Sequence, residues 1–242
     1  MKTLKFVLVA VAVFSMTACN FDFDLNQTSG SGNVETEERS VTADFDKVHG
    51  SAGIDVYLTE GDENKIVVEA DDNLHDLITT EIKNGKLKIG VTNGRNIGRA
   101  KAKKVHVTYR SLSAITASSG ADVIGNSVVK SESLTLASSS GADLEVDIIA
   151  QEVYADVSSG ADLKIAGRAL KLVAEASSGS DLKARELEVK VCKASASSGA
   201  DITVNVLDEI DGRASSGGDI KYYGNPTAVK TKDGASGSVR KM

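Results

Sequence analysis

Six aspartates recur at nearly regular intervals in the second half of the chain, each placed two residues after a Ser-Ser-Gly step. They are Asp122, Asp143, Asp162, Asp181, Asp201 and Asp219. A series of carboxylates can bind a divalent cation such as Ca²⁺, exchange protons in a hydrolytic reaction, or accept the hydrogen bonds that shape a turn. Which use applies depends on where the intervening residues place these side chains.

Successive aspartates of this series are 21, 19, 19, 20 and 18 residues apart. A repeat of about twenty residues predicts a solenoid, in which each unit covers its apolar face against its neighbours. The stretch Gly50-Ser51-Ala52-Gly53-Ile54-Asp55 resembles an earlier, degenerate copy of the same repeat. The aspartates are therefore predicted to stack as a ladder along one edge of the solenoid.

Apolar and polar residues alternate through the repeats, which predicts β-strands. If the second serine of each step points inward, the residues two before, two after and four after it form buried columns. These columns grade from small to large, as in Ala117, Ala121 and Val123. Such grading fits a flattened coil with a tight corner at the glycine, where positive φ or close backbone approach is required.

We therefore predict an all-β fold, a right-handed parallel β-helix or β-solenoid with about 20 residues per coil. Less regular strands precede the array, and Asn84-Gly85 marks a hairpin between two of them. The varying coil length argues against the rigid coil of left-handed hexapeptide helices. A seven-strand β-sandwich is the alternative.

Stacked aspartates on neighbouring coils would lie about 5 Å apart. Each pair would repel by roughly 0.9 kcal/mol in bulk water, or about 3–4 kcal/mol at an effective dielectric of 20. Ca²⁺, backbone N–H groups at the bend, or lysines in the next outer column could offset this repulsion. That column contains Ile124, Glu145, Lys164, Lys183, Thr203 and Lys221. We interpret the ladder first as a structural feature that shapes the fold and second as an edge that binds Ca²⁺. We predict no other cofactor.

Parallel β-helices include polysaccharide lyases and hydrolases, whose sites need clustered carboxylates with basic residues or a metal. The acidic residues here are evenly spaced instead. The three histidines, His49, His75 and His106, precede the array and lack metal-ligand spacing. No Ser-His-Asp order, phosphate-binding loop or dinucleotide fingerprint is present. We predict no catalytic residue and no enzyme, with a carbohydrate-active enzyme as the alternative.

Residues 1–18 are predicted to be a signal peptide, with Lys2 and Lys5 before an apolar run too short to be a permanent membrane span. Met16-Thr17-Ala18-Cys19 resembles a bacterial lipobox. This resemblance implies cleavage before Cys19 and a lipid on its sulfur, which would anchor the protein to a membrane.

Residues 19–40 are predicted to form a flexible tether centred on Ser29-Gly30-Ser31-Gly32, and residues 41–242 the folded domain. With Cys19 lipidated, no disulfide is available to Cys192 within one chain. Cys192 is then interpreted as a small buried apolar residue.

The formal charge of −6 argues against a nucleic-acid binder, which needs a basic surface. Aromatic residues make up only 4% of the chain and Trp is absent, so the core must be built from Val, Ile, Leu and Ala. The partners that stay open are a glycan, an envelope protein and a second copy of the chain.

The repeated Ser-Gly-Ala-Asp steps, together with other matching stretches, resemble the bacterial head GIN domain family of auto-transporter adhesin heads. The other stretches are Phe45 to Leu58, Gly85 to Ile89, Val105 to Ile115 and Ile220 to Pro226. The resemblance spans residues 41 to 240. It implies a β-solenoid exported to the cell envelope, commonly as an outer-membrane lipoprotein, and it supplies no catalytic residue. We therefore expect a binding, adhesin-like or scaffolding domain, with a partner-binding role in envelope stress sensing as a further alternative.

Overall fold

All regular structure in residues 27–242 is β-strand, apart from one 3₁₀ turn at Asp72–Leu74. The computed structural model describes these residues. The predicted signal peptide and the predicted lipid site at Cys19 lie outside the described part of the chain.

Within residues 27–109, the strands are short and less regular, as the sequence predicts. They are β1 Gln27–Thr28, β2 Val34–Arg39, β3 Lys47–Gly50, β4 Asp55–Glu60, β5 Lys65–Asp71, β6 Ile78–Lys83, β7 Lys86–Val91, β8 Asn96–Ile97 and β9 Lys103–Tyr109. The predicted hairpin is confirmed, because β6 and β7 pair antiparallel across Asn84 and Gly85. Both turn residues have positive φ, as a two-residue type I′ turn requires.

The repeats form the longer strands that follow. They are β10 Ala114–Ala117, β11 Asp122–Gly125, β12 Val129–Ser139, β13 Asp143–Ser158, β14 Asp162–Ser177, β15 Asp181–Ala196, β16 Asp201–Ala214, β17 Asp219–Tyr223, β18 Ala228–Asp233 and β19 Ser238–Lys241. In β13 the buried positions alternate up to Ala150 and resume at Val153, one residue out of phase. The chain therefore bends within each long strand, and one coil contributes to two walls of the solenoid.

The two walls face each other across a thin core. Wall A, which contains the first half of each coil, has the strand order β2-β5-β9-β4-β11-β13-β14-β15-β16-β17-β19. Wall B, which contains the second half, has the order β6-β7-β3-β10-β12-β13-β14-β15-β16-β18. In wall A every pairing from β9 through to β19 is parallel, and in wall B every pairing from β7 through to β18 is parallel. The predicted β-solenoid is therefore confirmed. The right-handed sense of its coil stays a prediction.

The flexible-tether prediction is wrong for residues 34–39, because they form β2 and pair antiparallel with β5. The Ser29-to-Gly32 segment is also held in place. Gly30 donates its N–H to the Arg99 carbonyl at 2.7 Å, and Gly32 donates its N–H to the buried Asp71 carboxylate at 2.8 Å. A Cβ on Gly30 would lie 1.9 Å from Asp71 Oδ2, so the glycine is required by close packing rather than by flexibility.

The three predicted core columns are confirmed. Ala117, Ala121 and Val123 are at most 2% exposed, and their counterparts in the later coils are buried as well. Cys192 lies in the same core, also as predicted.

The inward orientation of the second serine is wrong. Ser119 is exposed and has φ of 53°, followed by Gly120 with φ of 68°. Because Ala121 N–H bonds to the Ser118 carbonyl at 3.2 Å, the four residues form a type I′ turn, which needs positive φ at both central positions. No atom lies within 4 Å of a Cβ built on Gly120, so backbone conformation alone selects this glycine.

Candidate binding surfaces

The aspartates stack as a ladder on the outer face of wall A, next to the corner. The parallel register pairs Asp122 with Asp143 and continues through Asp162, Asp181, Asp201 and Asp219. The degenerate copy adds a seventh member, because Asp55 pairs with Asp122. The ladder ends at Lys104 beside Asp55 and at Ser238 beside Asp219. We refer to these seven residues as the aspartate ladder.

Lysines of the neighbouring outer column neutralise part of the ladder. Lys183 Nζ lies 2.8 Å from Asp162 Oδ2 and 3.6 Å from Asp181 Oδ2. Lys221 Nζ lies 3.5 Å from Asp201 Oδ1. Lys164 differs, because its Nζ pairs with Glu145 at 2.7 Å. Among the described residues, close lysine pairs with the ladder are therefore confined to Asp162, Asp181 and Asp201, while Lys103 and Lys104 act on Asp55 from farther away.

The N–H groups of the corners bond to the next coil. Gly141, for example, donates its N–H to the Ser159 carbonyl at 3.1 Å, and Gly160 donates to Ser178 in the same way. These bonds hold successive corners together. The N–H groups of these glycines are therefore bonded to backbone carbonyls and not to the aspartates.

Asp122 and Asp143 lie in the part of the ladder with the least compensation. Burial raises the pKa of Asp143, and the carboxylates of Asp122 and Asp162 raise it further. Burial also raises the pKa of Asp122, with a contribution from Asp55. Among residues 27–242, no group of three or more His, Cys, Asp or Glu side chains is arranged to hold a metal ion. Ca²⁺ binding along the ladder edge stays a prediction.

Sequence reasoning missed a second surface at the bend opposite the Ser-Gly corner. Each of four successive coils exposes one large apolar side chain there, between 38% and 47% accessible: Ile149, Leu170, Val191 and Leu207. We call these four residues the apolar row. The only signal in the sequence is an apolar residue at an outward position of the alternation, and that signal is obscured by the phase shift at the bend.

Three members of the apolar row, Ile149, Leu170 and Leu207, line one shallow cavity of about 220 Å³. Arg168, Glu188 and Lys190 also line it. The surface thus has an apolar centre with charged side chains beside it.

The three histidines lie apart from one another. His49 Nδ1 lies 2.8 Å from Thr116 Oγ1 on wall B, and the ring of His106 stacks on Tyr57 of wall A at 5.3 Å between centroids. Glu69 accepts from His106 at 2.8 Å, and this bond holds the pKa of Glu69 below its ordinary value. His75 is buried beside β2. These are packing and surface contacts.

The fold and its surfaces define a class of protein: a parallel β-solenoid whose repeated outer columns form extended, shallow faces. The chain belongs to the family described as "Putative auto-transporter adhesin, head GIN domain", whose model matches residues 44–226. The resemblance drawn from the Ser-Gly steps is therefore confirmed.

Solved structures show the same fold. A crystal structure described as a putative adhesin from Bacteroides fragilis superimposes with a TM-score of 0.83 at 20% identity, covering 89% of this chain and 100% of that one. One described as a putative lipid binding protein from Parabacteroides distasonis gives 0.72 at 19% identity, covering 89% and 99%. A putative adhesin from Parabacteroides merdae gives 0.72 at 18% identity, covering 90% and 99%.

Comparison with curated protein sequences finds no match. Within residues 27–242, no helix has the length and apolar character needed to cross a bilayer.

Proposed function

We propose that the chain is a non-catalytic, adhesin-like binding domain of the bacterial cell envelope and that it binds an envelope protein through the apolar row. The observation that carries this proposal is the exposure of Ile149, Leu170, Val191 and Leu207 on four successive coils. Ile149, Leu170 and Leu207 line one shallow cavity, and a patch of exposed apolar surface of this kind marks an interaction site. An apolar centre with charged side chains at its border is also the composition of protein–protein interfaces.

The family description supports envelope association, because it reads "Putative auto-transporter adhesin, head GIN domain". The proposal adds that lipid on Cys19 anchors the protein at the outer membrane. Changing Cys19 to Ser should move the full chain from the membrane fraction to the soluble fraction. Continued membrane association of this variant would contradict the lipid anchor and leave the apolar-row proposal intact.

The binding role is tested with the full chain, purified in detergent and used to capture proteins from the envelope fraction. The wild type should recover a defined envelope protein, and Leu170→Ser combined with Leu207→Ser should not. Tyr154→Ser is the control, because Tyr154 is 42% exposed on β13 and does not line the cavity formed by Ile149, Leu170 and Leu207.

Equal recovery by wild type and the double variant would overturn the proposal. Recovery of the bait chain alone would do so as well, since the occupant of the row would then be a second copy. Thermal unfolding of each variant checks that the loss of capture does not come from loss of the fold.

A further inference from the structure

A concentration of positive charge lies at the N-terminal end of wall B, far along the wall from the apolar row. It consists of Lys47 and His49 on β3, Lys83 on β6, and Lys86 and Lys88 on β7. We call these five residues the basic patch. Its position is notable because the whole chain carries a net charge of −6.

Strand pairing places the lysines next to one another on adjacent strands. Lys86 lies between Lys83 on one side and Lys47 on the other, so three like charges occupy adjacent positions across three strands. In the next outward row, Lys88 lies beside His49. Like charges directly opposite each other destabilise a sheet, and folding alone gives no reason to place them there.

These lysines have no acidic partner among the described residues. Eight lysines elsewhere in residues 27–242 have a carboxylate oxygen within 4.0 Å, but Lys47, Lys83, Lys86 and Lys88 do not. Glu81 pairs in register with Lys88 on the adjacent strand, yet it makes no such contact. Burial lowers the pKa of His49, and Lys86 and Lys88 lower it further, because their positive charges disfavour a protonated imidazole.

Three members of the patch, His49, Lys86 and Lys88, line an open cleft of about 520 Å³, and Glu81 is the one carboxylate among its lining residues. Hydroxyl and amide groups of Ser51, Thr79 and Asn93 line this cleft beside Lys86 and Lys88. Charged donors and neutral hydrogen-bonding groups are thus placed together. Such a lining suits a ligand that carries both anionic groups and hydroxyls along one chain, since the lysines bind the first and the neutral groups bind the second.

We propose that the basic patch binds an acidic polysaccharide, whose carboxylate or sulfate groups contact the lysines and whose hydroxyls bond to the polar lining. The row of Lys83, Lys86 and Lys47 repeats at the strand spacing of about 4.8 Å, which is close to the length of one sugar unit in an extended chain. A nucleic acid fits less well, because the cleft lining contains no Phe, Tyr or Trp on which bases could stack. This ligand site does not depend on the apolar row.

The test measures binding of polygalacturonate, dextran sulfate and neutral dextran to the full chain in detergent at low salt. The wild type should bind the two acidic polymers and not neutral dextran, and added salt should weaken binding. Lys86→Gln combined with Lys88→Gln should weaken it by about tenfold or more. Lys190→Gln combined with Lys193→Gln is the control, because it removes the same charge from exposed lysines outside the patch.

A second readout follows the His49 ring by NMR. Bound polyanion should raise the pH at which His49 titrates, because it offsets the positive charge of the neighbouring lysines. Equal weakening by both double variants, no binding by the wild type, or equal binding of single-stranded DNA would each overturn the proposal. None of these outcomes bears on capture through the apolar row. The patch variant should unfold at the same or a higher temperature, since it loses only repulsion.

Discussion

The ammonium group of Lys183 lies 2.8 Å from the carboxylate of Asp162, its neighbour on the preceding coil. It also reaches Asp181 on its own coil, so one cation sits between two rungs of the aspartate ladder. The hydrogen bond to Asp162 raises the pKa of Lys183. The spacing of parallel strands therefore creates the repulsion between the aspartates and also places a lysine where it offsets that repulsion.

Changing Lys183 to Met should lower the free energy of unfolding at neutral pH by up to about 1 kcal/mol, since both partners are exposed and screened. The melting temperature should fall by roughly 2–4 °C. Lys164→Met is the control, because Lys164 lies next to Lys183 in register but pairs with Glu145, outside the ladder. A loss at Lys164 as large as the loss at Lys183 would show that the ladder has no special dependence on its lysine.

Asp143→Asn should stabilise the protein at pH 7, by up to about 1 kcal/mol after solvent screening. The pKa of Asp143 is raised in the folded state. The stability linked to its protonation is present below the unfolded pKa and is lost as pH rises through the folded pKa. The gain of the variant over wild type should therefore shrink as pH falls toward 4. Urea unfolding at several pH values measures this, with the exposed Asp147→Asn on the same strand as control. A gain independent of pH would contradict the explanation.

Gly167→Ala should destabilise the protein more than Gly160→Ala. Gly167 has φ of 108°, and a Cβ there would lie 2.0 Å from the Ile148 carbonyl oxygen of the preceding coil. We expect a loss of about 2–4 kcal/mol. Gly160 also has positive φ but has open space around its Cβ position, so strain alone should cost about 1–2 kcal/mol. Thermal unfolding of the two variants compares them directly, and the reverse order would contradict the close packing at the bend.

The solenoid and its core columns could be predicted because they depend on local alternation. Ala121 and Val123 are two residues apart, and no knowledge of other strands is needed to place both inside. Alternation alone places Ser119 inside, but two residues with positive φ interrupt it at the corner, and it resumes in the same phase at Ala121.

The surfaces could not be predicted in the same way, because they depend on which strands pair. Lys47 and Lys86 are distant in the sequence and become neighbours only when β3 pairs with β7. The apolar row depends on the phase shift in the middle of each coil. The glycines near Ser31 indicate a flexible segment unless the position of Asp71 is known.

Cys192 should not react with maleimide in the folded protein. Burial raises the pKa of its thiol to about 12, so the reactive thiolate is scarce and the sulfur is shielded from solvent. The measurement uses Cys19→Ser, in which Cys192 is the remaining cysteine, before and after unfolding in urea. Lys193→Cys in a Cys19→Ser, Cys192→Ser background is the matched control, since residue 193 is exposed. Rapid labelling of Cys192 without denaturant would show that the core opens locally.

Asp71→Asn should release the N-terminal segment from the solenoid. The Asp71 carboxylate accepts N–H bonds from Gly32 at 2.8 Å, Ala102 at 3.0 Å and Lys101 at 3.1 Å. Burial alone would raise the pKa of Asp71, but these three donors outweigh it and hold the pKa below its ordinary value. An amide in place of the carboxylate turns one acceptor into a donor, which faces the same N–H groups.

Hydrogen exchange of the amides in residues 29–39 and 99–102 measures this release. At pH 7 these amides should exchange roughly tenfold faster in Asp71→Asn than in wild type, while those of β13 to β15 should be unchanged. Because the folded pKa is lowered, the stability that Asp71 supplies is present above its unfolded pKa and is lost as pH falls through the folded value. The amide exchange rates of the wild type should therefore approach those of the variant only in strong acid. Asp76→Asn, at an exposed aspartate just after the 3₁₀ turn, is the control. Unchanged protection in Asp71→Asn would mean that the pairing of β2 with β5 holds this segment without the carboxylate.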